Sequence, residues 1–260
     1  MPADPLLGVR DLSKTYFRQR WLGVPHPVTV ALAGVSFSLE RGRTLAVIGA
    51  SGSGKSTLAR CLTQFEMPTG GEILFEGRPL SAGRRLEIQL IFQQPAASLN
   101  PRFTAAEIVE EPLVIQRAGT AGMRRERAAA ALELTGIARA ALAKRAHEFS
   151  GGERQRLAIA RAIVAEPKLL ILDESFNRLD TSLAAQIAAL LEGLQERLEI
   201  ACILISHDLR LAAGMADDIA VMERGAIVEY GPAATLMSDP RQPRTRELVA
   251  AGAALEAGLL

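Results

Sequence analysis

Residues 49–56 read Gly-Ala-Ser-Gly-Ser-Gly-Lys-Ser, a full match to G-x-x-x-x-G-K-[ST], with Thr57 next. The glycines Gly49, Gly52 and Gly54 let a backbone fold back on itself, so that several N–H groups face one anion. An apolar run precedes the segment and a helix-like stretch, 57–62, follows it. The positive end of that helix would therefore add to the same anion site. Within it, Lys55 is placed to reach the β- and γ-phosphates of a nucleotide, and Ser56 to offer its hydroxyl to Mg²⁺. Ser51, Ser53 and Thr57 complete the candidate binding set. On its own this loop indicates a nucleoside triphosphate and does not distinguish a GTPase, a kinase, a helicase or a transporter motor.

Three further clusters could act on such a ligand. The apolar run 169–172 ends in Asp173-Glu174. An acidic residue at the C-terminal end of a buried strand stands where open α/β sheets bind ligands. Asp173 suits a Mg²⁺ contact, and Glu174 suits a general base that polarises an attacking water. The run 203–205 ends in Ser206-His207-Asp208, and a histidine there could reach the γ-phosphate from the same sheet edge. His26 and His147 have no comparable setting. Finally, residues 150–156 read Ser-Gly-Gly-Glu-Arg-Gln-Arg, with Ser150 and Glu153 at capping-box spacing. Gly151 and Gly152 would let a ligand approach that helix start closely.

These groups need elements to hold them. Residues 35–40 alternate apolar and polar, the period of a strand with one buried face. Residues 44–48 are apolar without alternation, as in a strand buried on both faces. Short strands are expected at 73–75 and 90–92, then again at 169–172, 200–205, 219–222 and 226–229. From 95 to 149 the chain is rich in Ala, Glu and Arg and reads as helices. Thr104 and Glu107 open one of them as a capping box, Gly119–Gly122 breaks them, and Gly136 ends another. Ile187, Leu190, Leu191, Leu194 and Leu198 form one apolar helical stripe. Strands alternating with amphipathic helices imply a mostly parallel sheet covered by helices, here with a helical insertion.

The chain has 260 residues, 48% of them hydrophobic and 23% charged, and a net charge of +1, which is ordinary for a globular protein and gives no general attraction to nucleic acid. The N-terminal residues Met1-Pro-Ala-Asp-Pro-Leu-Leu-Gly lack the basic stretch and apolar run of a signal peptide. No apolar run approaches the ~20 residues that span a bilayer, so a membrane role is expected to come through a partner. The two cysteines, Cys61 and Cys202, sit in apolar surroundings without metal-ligand spacing and read as buried thiols.

Together, these motifs resemble the ABC transporter ATPases, whose signature is Leu-Ser-Gly-Gly-Gln. The resemblance spans nearly the whole chain. Gly49–Thr57 is similar to the family's Walker A motif, Ile171–Glu174 to Walker B, Leu179-Asp180 to the D-loop, and His207 to the switch histidine. Gln93 resembles the Q-loop glutamine, which implies contacts to the γ-phosphate and Mg²⁺. Tyr16 stands where the family places an aromatic on adenine, with Trp21 a weaker candidate and a plain surface aromatic the alternative. Phe92-Gln-Gln-Pro, Ser98-Leu-Asn-Pro-Arg and Glu111-Pro-Leu narrow the likeness to peptide and nickel importer ATPases, as does Asp239-Pro-Arg-Gln-Pro-Arg-Thr-Arg-Glu-Leu, where Gln242 and Arg244 stand at that group's His and Tyr. Two departures stand out. Glu153 replaces the signature Gln, and Asn177-Arg178 interrupts the usual Glu-Pro-Thr-Ser-Ala-Leu-Asp run, which suggests pairing with a second ATPase of more regular D-loop.

The resemblance implies an α/β P-loop NTPase with an N-terminal antiparallel β subdomain. Its core would be residues 1–94 and 156–240, its helical subdomain 95–155, and its short tail 241–260. It implies ATP and Mg²⁺ as ligands and a head-to-tail dimer with a second ABC ATPase subunit, whose Ser150–Glu153 and Asp180 face the first subunit's nucleotide. It further implies transmembrane permease subunits, an indirect solute-binding protein, no nucleic acid, and a cytoplasmic location on the inner face of the membrane. Import of a peptide, nickel or related solute is the expected function. A non-transport ATPase in a cytosolic complex such as phosphonate breakdown shares every motif. A DNA-repair ATPase is disfavoured, because no coiled-coil insertion separates the loop from the signature.

Overall fold

The computed structural model describes residues 4–18, 26–81, 84, 86–92, 98–174 and 180–256. They fall into two compact units, Met1–Arg85 with Ala201–Leu260, and Leu86–Ile200.

The first unit begins with β1 (Leu7–Arg18), β2 (His26–Leu39), β3 (Thr44–Gly49), α1 (Lys55–Leu62), β4 (Gly70–Phe75) and β5 (Arg78–Pro79). Four of the strands make an antiparallel sheet in the order β2-β1-β4-β5. The expected strand at 35–40 is the inner half of β2. Val35, Phe37 and Leu39 are buried, whereas Ser36 and Ser38 are exposed. The outer half shows no such period because it lies away from the core. Val28 and Val30 there are 59% and 57% exposed.

The second unit carries β6 (Ile88–Ile91), α2 (Ala105–Ile115), α3 (Ala121–Leu134), α4 (Gly151–Ile163), β7 (Leu169–Asp173) and α5 (Thr181–Leu198), with 3-10 turns at Arg139–Ala143 and Ala146–Glu148. Strands β6 and β7 pair in parallel, Ile88 with Leu169 through Ile91 with Leu172. Helices α2, α3 and α4 pack on one another, and α4 also lies against β6. The Thr104–Glu107 capping box opens α2 as read. The break near Gly119 falls at 116–120, and Gly122 is helical. The Thr120 side chain accepts the Met123 N–H at 3.3 Å and so starts α3 ahead of that glycine.

The chain then returns to the first unit as β8 (Ala201–Ser206), α6 (Leu209–Met215), β9 (Asp218–Glu223), β10 (Ala226–Pro232), α7 (Ala233–Ser238) and α8 (Pro243–Glu256). Here β3 lies between β8 and β9, parallel to both, with β10 antiparallel at the edge. All six residues of β3 are buried. This is why its sequence is apolar without alternation. The edge position of β10 lets it run on to Pro232, since a ring without an N–H costs no inner ladder bond there. The stretch 241–260 holds α8, whose start is tied down by Glu229. That carboxylate accepts the backbone N–H groups of Arg241 and Gln242 at 2.9 and 3.0 Å.

Both cysteines are buried, Cys61 on α1 and Cys202 on β8, and burial pushes their thiols up to about 11 and about 12. Among the described residues no helix is long and apolar enough to cross a membrane.

Candidate nucleotide site

The phosphate loop leaves the buried end of β3 and turns into α1. A side chain at Gly49 would come within 2.3 Å of the Met222 carbonyl on β9 and 2.6 Å of Ser53 Oγ. Only glycine fits where strand, loop and neighbouring strand meet. Gly54 forms the N-cap of α1 at φ 107°, a left-handed conformation, and supplies no side-chain cap. The three loop glycines are not equivalent, although the motif alone groups them. Gly52 is exposed, and a side chain there would meet nothing within 4 Å. Glycine is favoured at Gly52 only by its φ of 80°, which turns the chain back over the helix start, and not by any crowding. The first turn of α1 contains no acidic residue. The helix start is thus left for an external anion to satisfy.

Two contacts brace the loop from behind. The Gly225 N–H, in the β9–β10 turn, donates to the Ser53 carbonyl at 2.9 Å, and the Gly225 carbonyl accepts from Ala33 of β2. Lys55 is 4% exposed, and its ammonium donates to the carbonyls of Gly49 at 2.8 Å and Ala50 at 3.0 Å. A buried ammonium held by two loop carbonyls beside the helix start is suited to phosphate oxygens. Ser53 Oγ is buried without a hydrogen-bond partner, a polar group that an oxygen-rich ligand can satisfy. The residues present therefore fit a triphosphate.

Strand register brings His207 to this edge. Ile48 pairs with Ser206, so the residue after β8 stands level with Gly49. Asp208 then accepts the Leu211 N–H at 3.1 Å and starts α6. Tyr16, paired with Thr29 across β1 and β2, is 36% exposed and donates its hydroxyl to Glu66, three residues beyond α1's C-cap Thr63. Burial, then Glu66, pushes that phenol up from its ordinary value, against a smaller lowering from Thr57. Glu66 also accepts from Arg60, so Tyr16 and the last turn of α1 are brought together.

In the second unit Asp173 ends β7 and Glu174 follows at φ 49°, left-handed for a residue with a side chain. Ser150 caps α4 as the spacing predicted. Its hydroxyl accepts the Glu153 N–H at 3.2 Å, and the Glu153 carboxylate accepts the Ser150 N–H at 2.7 Å. The Ser150 backbone N–H, then its hydroxyl, holds the Glu153 carboxyl below its ordinary range. Asp180 caps α5 by accepting the Leu183 N–H at 2.9 Å. A side chain at Gly152 would stand 3.0 Å from Leu183 Cδ1, so the starts of α4 and α5 are neighbours, whereas one at Gly151 would meet nothing within 4 Å. Gln93, Trp21, Asn177, Arg178 and Leu179 lie outside the described residues.

Residues 32–177, more than half of the chain, match the ABC transporter family. The chain belongs to the ABC transporter family. This ABC ATPase is 43% identical over 255 residues to the dipeptide transport ATP-binding protein of Escherichia coli (strain K12), covering 95% of this chain and 76% of that one. It is 41% identical over 259 residues to the di/tripeptide transport ATP-binding protein of Pseudomonas aeruginosa (strain UCBPP-PA14), covering 97% and 80%. Among solved structures, it resembles a Clostridium perfringens protein that is part of the cbiONQ ABC transporter complex, with a TM-score of 0.78 and 29% identity over 98% of this chain and 96% of that one. It also resembles a dimeric ATP-binding cassette in a post-hydrolysis state bound to ADP and Pi, with a TM-score of 0.73 and 26% identity over 87% and 98%. The ABC ATPase fold accounts for both the parallel strands and the antiparallel sheet described above.

Sequence reasoning passed over two parts of the site. Glu66 belongs to no motif, and its only local cue is its position just past α1. The turn at Gly225 lies about 170 residues downstream of the loop it braces, and no short-range pattern connects them.

Proposed function

We propose that this chain is the ATP-hydrolysing subunit of a peptide importer, and that it drives uptake through permease partners at the inner face of the membrane. The observation that carries the ATP reading is the loop from β3 to α1. Its Gly54 cap, which brings no side-chain cap bond, and its buried Lys55 ammonium make a phosphate cradle. The peptide assignment rests on the identity to dipeptide and di/tripeptide transport ATP-binding proteins. Delivery of the peptide by a solute-binding protein belongs to the same reading.

In this reading Lys55, the loop amides of Ser51 and Gly52 and the unpartnered Ser53 hydroxyl hold the β- and γ-phosphates. Ser56 and Asp173, with Gln93, would hold Mg²⁺, which neutralises phosphate charge when bound. Glu174 orients a water toward the γ-phosphorus and takes its proton as the new P–O bond forms and the bond to the ADP oxygen breaks. His207, level with the loop, steadies the γ-phosphate. Ser150 of a second subunit completes the site. Its oxygen already accepts the Glu153 N–H, and its O–H would turn from the Glu153 carboxylate to donate to phosphate. Asp180, capping the neighbouring helix, would face the same junction. Each site needs two chains, so ATP binding favours closure and hydrolysis reverses it.

The test is Glu174→Gln in the full chain. Nucleotide titration should give affinity close to wild type, turnover should fall by about 10²–10⁴-fold, and an ATP-dependent dimer should accumulate in sedimentation. Turnover at the wild-type rate would remove Glu174 as the base. Lys55→Ala, by contrast, should weaken nucleotide binding itself, and unchanged affinity would overturn the phosphate-loop assignment.

A further inference from the structure

Glu66 lies in the short connection between α1 and β4 and makes more side-chain contacts than its position demands. One carboxylate oxygen accepts the Tyr16 hydroxyl, and the other accepts from Arg60 of α1 at 3.2 Å. Its own backbone N–H is fixed to the Arg60 carbonyl at 3.1 Å. Lys14, two residues before Tyr16 on β1, donates to the Met67 carbonyl at 2.7 Å and stands 4.0 Å from the Glu66 carboxylate. The Lys14 ammonium also lies over the Tyr16 ring, 5.2 Å from its centre. One side of that ring is thereby taken by a cation, and the hydroxyl is pinned at the far end.

We propose that Glu66 is a positioning residue of the nucleotide site: it anchors the Tyr16 hydroxyl to the end of α1, so that the ring face opposite Lys14 is held ready for the adenine base. This rests on the reading of Tyr16 as the base-stacking aromatic. The physical gain is preorganisation. A tyrosine on a partly exposed strand otherwise loses its rotamer freedom only when the base arrives, and that loss is subtracted from affinity. Here the freedom is already removed, and by the connection leaving the helix that opens at the phosphate loop. The phosphate cradle and the base platform therefore share α1 as a common support, with Glu66 and Arg60 at one end and Gly54 at the other.

The experiment compares the binding of ATP and of inorganic tripolyphosphate, which has no base, to the full chain. The variants are Tyr16→Ala, Tyr16→Phe, Glu66→Ala, Glu66→Gln and the Tyr16→Phe/Glu66→Ala pair. Ordering one side chain only when the base arrives, instead of beforehand, predicts ATP affinity weakened about three- to tenfold in both Tyr16→Phe and Glu66→Ala. Tripolyphosphate affinity should stay unchanged. Because the two residues act through one bond, the double variant should be no weaker than either single one. Glu66→Gln, which keeps an acceptor oxygen, should recover most of the loss. Equal weakening of ATP and tripolyphosphate in Glu66→Ala would assign Glu66 to the support of α1 alone and overturn the proposal. Additive losses in the double variant, or ATP affinity unchanged in Glu66→Ala while Tyr16→Ala weakens it, would also overturn it. Unchanged ATP affinity in Tyr16→Ala would instead remove the base-stacking reading, and the proposal with it.

Discussion

Two helix starts in this chain are rich in glycine and are proposed above to serve phosphate, yet they are built on opposite plans. At α1 the cap is Gly54, no side chain satisfies the first turn, and Gly49 and Gly54 are enforced by the protein's own backbone. At α4 the cap is Ser150, its bonds are closed reciprocally by Glu153, and Gly151 has open space where a side chain would go. The first start has no side-chain cap of its own, and in the proposed reading a phosphate takes that place. The second is finished within its own chain, and its glycine leaves room for something outside it. The same residue type is thus required by folding in one place and not in the other.

The sharpest way to break this comparison is Gly54→Ala. The new Cβ would sit at φ 107° and 2.4 Å from the Ala31 carbonyl, so the loop must move. A stability loss of about 2 kcal/mol or more is expected, with nucleotide binding reduced at least about tenfold. A normal Tm with normal ATP affinity would show that backbone crowding does not fix this loop. Gly151→Ala should give the reverse pattern. Tm and ATP binding by the single chain should match wild type, while the ATP-dependent dimer in a Glu174→Gln background weakens. An unaffected dimer would mean that no second subunit approaches that surface.

The smallest effect is expected at Glu153. Replacing it with Ala removes half of the capping box and should cost about 0.5–1 kcal/mol, read by chemical denaturation. The same carboxylate has a sign-defined pH dependence. Ser150 lowers its folded pKa, so its contribution is present above the ordinary glutamate value of ~4.3 and is lost as pH falls through the lowered value. In Glu153→Ala that acid limb of the stability curve should flatten. An unchanged limb would place the acid sensitivity in other carboxylates.

What the sequence revealed follows the range of each interaction. The phosphate loop, the Ser150–Glu153 and Thr104–Glu107 boxes and the buried strand 44–48 were legible, because each is decided within a few residues. The motif did not distinguish Gly52 from Gly49 and Gly54, because the atoms that crowd those two belong largely to Ala31 and Met222, far away in the chain. Gly122 was misread as part of a break because a threonine two residues earlier caps the helix more strongly than a glycine interrupts it. The outer half of β2 gave no signal, since its valines face solvent and leave no period to detect. Glu66 and Gly225 depend on partners 50 and about 170 residues away, and pairings of that kind have no local signature.

The two buried thiols have a practical consequence for studying these motions. Burial holds Cys61 and Cys202 up at about 11 and about 12, so at neutral pH almost none of either is the reactive thiolate. Burial and the raised pKa values both lower the reactivity of these two thiols. A single cysteine placed on the exposed face beside Gly151 would take a fluorescent or spin label alone, with no native residue removed first. A distance measured between two such labels would then test whether two subunits close on one another during turnover, as proposed above.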